Sequence, residues 1–200
     1  MENTSLTLLG RLQVVGDSAA WDRLFDLYQP WLVIWIKKYG VQDSDADDVA
    51  QEVLLTVSKG LKTFDHNGRI GAFRTWLRSI LVNRLRNFWR TRDRKPETQK
   101  DSEMDRRLSL LEDSSSAMSL LWNRQHDLHI LHQLLNLVEP QFSKVSWKAF
   151  LRVAINGEPP AIVAREMDIS LNAVFIAKSR VLKRLRHEAT GLVDSSLDSF

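Results

Sequence analysis

Asn83, Arg86, Asn87 and Arg90 follow one another at steps of three and four residues. On a helix such steps place all four side chains on one face. Amides beside guanidinium groups suit a polyanion that also carries hydrogen-bonding edges, because the cation holds phosphate oxygen while the amide both donates to and accepts from a base. The surrounding stretch, ILVNRLRNFWRTRDRK over 80–95, adds leucine, phenylalanine and tryptophan. Trp76, Phe88 and Trp89 could stack on unpaired bases, a contact worth about 1–3 kcal/mol per base. Single aromatics on an apolar stripe more often face a core, however. Between positions 74 and 95, Arg74, Arg78, Arg84, Arg86, Arg90, Arg92, Arg94 and Lys95 are opposed by the single acid Asp93.

The opposite sign collects just upstream. Asp43, Asp45, Asp47, Asp48 and Glu52 lie between positions 42 and 52 with no base among them. Over the whole chain the formal charge is only +3, so partners must be inferred from where charges lie and not from their sum. The run DSDADD over 43–48 begins like a calcium loop, but the sixth position is Asp48 instead of glycine and the twelfth is Leu54 instead of glutamate. His126, His129 and His132 turn about 60° per step around a helix, so the outer two diverge. With no cysteine in the chain, neither a thiolate nucleophile nor a sulfur-ligated metal is available. No catalytic residue, metal ligand or cofactor is therefore assigned.

Length, at 200 residues, and an apolar fraction of 44% allow one ordinary domain or two small ones with real cores. Nearly every periodic segment repeats at helical spacing, which predicts an all-α protein. Leu24 to Ile36 is apolar on several sides or broken at Pro30, and Gly40 ends it. Ser44 is the expected N-cap of a second helix, with Asp47 completing a capping box, and that helix runs to Gly60. An Asn67-Gly68 turn precedes a long amphipathic helix through Phe73, Trp76, Leu77, Ile80, Leu81, Leu85 and Phe88, stopping before Pro96.

Residues 97–121 are charged and serine-rich, and they are expected to form a flexible linker that buries little surface. It joins two small helical domains, 1–96 and 122–190, and a tail occupies 191–200. Leu128, Leu131, Leu134, Leu135 and Val138 open the second domain, and Trp147, Phe150, Leu151 and Ile155 extend it. Pro159 and Pro160 suit a first helical turn, Asp168-Ile169-Ser170 interrupts, and Ser170 caps a longer helix with Leu171, Val174, Ala177, Val181 and Leu185 on one face. This is a helix-turn-helix. Its second helix would offer Asn172, Ala173, Phe175, Ile176 and Ser179 to base edges, and Lys178, Arg180, Lys183, Arg184 and Arg186 to phosphates.

In combination and order, DADDVAQEVLL, FRTWLRSILVNRL with its arginine-rich end, a linker, and a helix-turn-helix ending KSRVLKRLRHE resemble the extracytoplasmic-function group of bacterial sigma factors, within the sigma-70 family. The likeness spans most of 6–95 and 128–188. It implies a non-enzymatic protein that binds core RNA polymerase and directs promoter recognition, promoter melting and transcription initiation. On matching positions, Asp47, Asp48, Gln51 and Glu52 would meet the beta-prime clamp, with the beta subunit also engaged. Phe64, Asp65, His66, Asn67 and Gly68 would hold a flipped base, and Arg74, Trp76, Asn83, Arg84, Arg86, Asn87 and Arg90 would serve the minus-ten element. The helix from Ser170 would read the minus-thirty-five element. An anti-sigma protein is a further partner that such a likeness allows. Apolar Phe175 and Ile176 depart from the usual polar start of that helix.

Two rival functions remain beside it. A helix-turn-helix regulator that binds duplex DNA without polymerase accounts for the C-terminal part but not for the acidic helix followed by a cationic one. A metal-dependent phosphodiesterase would need a second, convergent carboxylate group that the acidic helix lacks. No apolar stretch is long enough to cross a bilayer and the first residues do not form a signal peptide, so a soluble, cytoplasmic protein with no membrane partner is expected.

Overall fold

The computed structural model describes residues 8–13, 17–64, 71–92 and 99–193, and all regular elements among them are helical. A short helix α1 (Leu8–Leu12) leads into α2 (Ser18–Lys38). Asp17 caps α2 by accepting from the Ala20 amide at 3.0 Å, and the Arg11 guanidinium holds the same carboxylate at 2.9 and 3.0 Å. Pro30 does not break α2. It faces solvent, where water can satisfy the carbonyl that a proline leaves without an amide partner. Leu24, Tyr28, Trp31, Leu32, Trp35 and Ile36 are all buried, so α2 is enclosed on several sides. Gly40, at φ +79°, makes the turn that follows.

The second helix, α3 (Asp43–Gly60), starts one residue before the expected cap. Gln42 stands at its N-cap with no side-chain bond, and Ser44 lies inside the first turn. Asp43 and Asp45 in that turn supply negative charge next to the helix dipole, which favours starting there without a hydroxyl cap. The long helix α4 (Ala72–Arg92) buries Phe73, Leu77, Ile80, Leu81 and Leu85 as its periodicity predicts. Pro96, its expected stop, lies outside the described residues.

The expected linker, 97–121, is largely helical. It contains α5 (Gln99–Glu112) and the start of α6 (Ala117–Val138). Polar composition hid a sparse apolar stripe, in which Leu108 and Leu111 are fully buried and Met104 packs partly against the core. Ser116 caps α6 by accepting from the Ser119 amide at 3.0 Å. The buried face of α6 is Trp122, His126, Ile130, Leu134 and Val138, at unbroken steps of four, whereas Leu128 is exposed.

Because of this face, residues from both ends of the chain share one core. Trp122 packs against Trp31 and Trp35 of α2, with ring centroids 4.2 and 4.9 Å apart. Beside the tryptophans runs a polar chain, buried except at Asp127, which is half-buried. The Tyr28 hydroxyl lies 3.0 Å from His126 Nε2, His126 Nδ1 lies 2.9 Å from Asp127 Oδ1, and Arg74 Nη1 donates to Asp127 Oδ2 at 2.6 Å. A neutral imidazole carrying its proton on Nδ1 satisfies both ring nitrogens, since it donates to Asp127 and accepts from Tyr28. After α7 (Lys144–Phe150) and a single π turn (Leu151–Ile155), α8 (Pro160–Glu166) and α9 (Leu171–Ala189) close the chain. Ala149, Val153, Val163, Ala164, Val174 and Ala177 form a second, smaller core there.

Two outcomes test this packing. Burial holds His126 below its ordinary pKa, because desolvation of the imidazolium outweighs the pull of Asp127. In the unfolded chain the ring titrates near its free value of about 6.5. The unfolded state then binds a proton that the folded state refuses, so stability is full above about pH 6.5 and falls as pH drops toward the lowered folded value. Burial raises Asp127, but hydrogen bonds from His126 and Arg74 outweigh it and the net shift is downward, so its contribution is lost only in stronger acid. Urea midpoints measured from neutral pH to mild acid will fall for the native chain and fall less for His126→Gln. Separately, a Cβ at Gly60 would sit 2.7 Å from Cζ2 of Trp76. Gly60→Ala gains about 1 kcal/mol of helix propensity but incurs overpacking of about 1–3 kcal/mol. Its urea midpoint will therefore drop.

Candidate nucleic-acid interface

Two surfaces of opposite sign adjoin at the α3–α4 contact. On α3, Asp47, Asp48, Gln51 and Glu52 are all exposed. Steps of three and four bring them to one side, and the buried stripe Val49, Val53 and Val57 fixes which side that is. Asp48, Gln51 and Glu52 edge a groove of about 790 Å³ between α2 and α3, floored in part by Trp21, Phe25 and Leu55. Phe25 and Leu55 are exposed despite their size. Sequence reasoning missed this apolar floor because both residues neighbour buried leucines, Leu24 and Leu54, and pass for the same stripe.

On α4, Asn83, Asn87 and Arg90 are exposed, and Arg90 Nη2 donates to Asn87 Oδ1 at 3.0 Å. Arg84 points to α3, donating to Thr56 Oγ1 at 2.9 Å and lying 3.6 Å from Glu52. It therefore links the cationic face to the acidic one. Arg86 is half-buried under α5, where Asp105 and Glu112 accept from it at 3.2 and 2.7 Å. Its hydrogen bond to Glu112, more than any other cause, raises its pKa further.

Arg74 differs from these. Its residue exposure is 6%, and its guanidinium is committed to Asp127 in the core, so it presents no charge to solvent. Arg78 beside it is also buried, and desolvation followed by the neighbouring Arg74 charge lowers its pKa. Trp76 is half-buried and stacks on Phe64 with centroids 4.7 Å apart, while Phe64 meets Phe73 edge-on. Phe88 and Trp89 pack partly against the core, and Arg92 lies over the Phe88 ring. Asp65, His66, Asn67 and Gly68 lie outside the described residues.

The third surface is formed by α8, a turn over 167–170, and α9. Asp168 takes φ +52° in the turn, a left-handed conformation that aspartate tolerates better than most residues. Ser170 caps α9, accepting from the Ala173 amide at 3.1 Å. Arg152 pairs with Glu158 and, at 2.5 Å, with Glu166, which ties the end of the α7 segment to α8. Val174, Ala177, Val181 and Leu185 face inward, but Leu171 is exposed. Exposed on the outer side are Asn172, Phe175, Ile176, Ser179, Arg180 and Lys183, with Ala173 and Lys178 half-buried. Arg184 is drawn back to Glu188 at 2.6 Å, and Glu188 also accepts from Arg23 of α2 at 2.9 Å. That link between α9 and α2 had no signal in the sequence, since the two residues are far apart in the chain.

Of the three histidines, His126 is in the core, His129 Nε2 donates to the Leu27 carbonyl at 2.7 Å, and His132 is exposed. Among the described residues no helix is long and apolar enough to cross a membrane.

Comparison with known proteins bears on the first two surfaces. No curated protein matches the chain. Residues 24–95, which carry most of α2 and all of α3 and α4, match sigma-70 region 2, while the α8–α9 surface lies beyond that match. That segment is therefore similar to region 2 of sigma-70 factors, a module of transcription initiation.

Proposed function

We propose that this protein is a sigma factor of the extracytoplasmic-function group, with one surface for core polymerase and two for promoter DNA. The observation that carries the reading is the adjacency, inside the region 2 match, of an exposed carboxylate face and an exposed amide-bearing cationic face. An acidic face repels phosphate and suits a basic protein partner. Asp47, Asp48, Gln51 and Glu52 therefore take the polymerase beta-prime clamp, and the groove beside them takes apolar side chains of the same partner on Phe25 and Leu55. Cationic α4 takes the minus-ten element, with Asn83, Asn87 and Arg90 as the groups already open to a strand.

Opening a duplex costs a few kcal/mol per unstacked step. A protein that hydrolyses no nucleotide must recover that cost from captured bases and strand contacts, and amides next to arginines provide both. The α9 surface takes the minus-thirty-five element. Phe175 and Ile176 are exposed on its first turns, so apolar contact with thymine methyl groups replaces part of the usual polar readout. Two modest DNA surfaces on one chain select a bipartite site through effective concentration.

Run-off transcription with purified core polymerase and a promoter library tests the whole reading. Absence of co-elution with core polymerase in gentle salt ends it. Two substitutions separate the surfaces. Asp48→Arg will weaken core binding by about tenfold or more, since like charges across an interface cost several kcal/mol. Asn83→Ala will leave core binding intact and slow open-complex formation by about tenfold, the loss of one good base contact. DNA engagement will weaken with salt at a log–log slope of about −0.9 for each neutralised phosphate on duplex DNA.

A further inference from the structure

On α5, Asp105, Ser109 and Glu112 are spaced by four and three residues, so they form one stripe. All three converge on a single guanidinium. Arg86 Nε donates to Asp105 at 3.2 Å, and Arg86 Nη2 donates to Ser109 at 3.4 Å and to Glu112 at 2.7 Å. Two carboxylates and a hydroxyl around a planar cation imitate what a phosphodiester oxygen pair would offer. A neighbouring stripe, Met104, Leu108 and Leu111, seats the helix on the core. Arg107 fastens its other edge, donating to the Lys38 carbonyl at 2.8 Å and lying over the Tyr39 ring.

We infer that α5 is a built-in cover for the cationic face of α4, occupying Arg86 with acids until a nucleic-acid backbone takes their place. The cover rests on the reading of α4 as a strand-binding face, and it adds a reason for that face to be weak when the protein is alone. Its hold is exchangeable. Asp105 and Glu112 keep 67% and 46% of their side-chain surface in solvent, so water and salt screen both pairs. By contrast, Arg74 and Arg78 on the same helix are buried and take no part in the exchange.

The test compares equilibrium binding of a fluorescein-labelled, mixed-sequence, single-stranded oligonucleotide to the full chain at moderate salt. The double change Asp105→Asn and Glu112→Gln will tighten binding by about tenfold, the scale that two exposed ion pairs supply. Removing two negative charges also favours any polyanion, so Glu103→Gln with Glu139→Gln serves as the matched control and will change affinity by about twofold or less. Adding Arg86→Ala to the first pair will abolish its gain. Amides of 103–112 will exchange with deuterium faster once the oligonucleotide saturates the native chain. Equal gain in the control pair, a gain that survives Arg86→Ala, or unchanged exchange in 103–112 would each overturn the cover. Co-elution with core polymerase is read separately, so loss of the polymerase reading leaves these outcomes standing, and the reverse also holds.

Discussion

The contact that organises this molecule is α6 laid against α2. Three indoles, Trp31, Trp35 and Trp122, meet there within 6.3 Å of one another, and the chain Tyr28–His126–Asp127–Arg74 runs beside them. Aromatic burial supplies most of the stabilisation, because each ring removes a large apolar area from water. The polar chain supplies direction. A buried guanidinium left unpaired would cost about 3–5 kcal/mol, so only a register that brings Asp127 to Arg74 is acceptable. Sliding α6 by one turn would move Trp122 off Trp31 and Trp35 and part Asp127 from Arg74.

That register decides what the other helices can present. With α6 fixed, Ser116 and the turn before it return the chain so that α5 lies on α4, and Arg86 meets acids. On the far side, the Arg23–Glu188–Arg184 link draws the end of α9 toward α2, leaving its first turns outward. The α8–α9 unit keeps its own small core, separate from the large one.

Much of this was legible in the sequence, and the failures share a cause. Helix positions for α2, α3 and α4 followed from apolar spacing, as did the inward face of α9, because those stripes are dense enough to survive a few exceptions. Exposure of Asp47, Asp48, Gln51 and Glu52 followed from the inward stripe of Val49, Val53 and Val57. Sparse stripes were lost. Leu108 and Leu111 sit among ten polar or charged neighbours in QKDSEMDRRLSLLE, a composition that on its own cannot offset the entropy of ordering. The burial of those leucines depends on a neighbouring helix that only the tertiary fold supplies. Arg74 was grouped with the other arginines by charge alone, yet it adjoins Phe73 and Leu77 on the inward side of α4. Its partner, Asp127, stands 53 positions away, a separation that periodicity cannot bridge. His126 hid likewise in an otherwise ordinary series of histidines.

The arginines of α4 are thus unequal in what they can do, and their surroundings sort them. Near the start of the helix, Arg74 and Arg78 are buried, Arg74 held by Asp127 and Arg78 donating to Asn123 at 3.4 Å, so a strand in solvent does not reach them. From Arg84 onward the paired carboxylates are exposed, and a surface pair is worth about 0.2–1 kcal/mol. A phosphate chain delivers many charges at once and releases condensed counterions on binding, so it can outcompete such pairs without any new chemistry. It cannot outcompete the buried ones. Charge that holds the fold and charge that can be exchanged therefore occupy successive turns of one helix, and the change between them falls where α6 gives way to α5 as the neighbour.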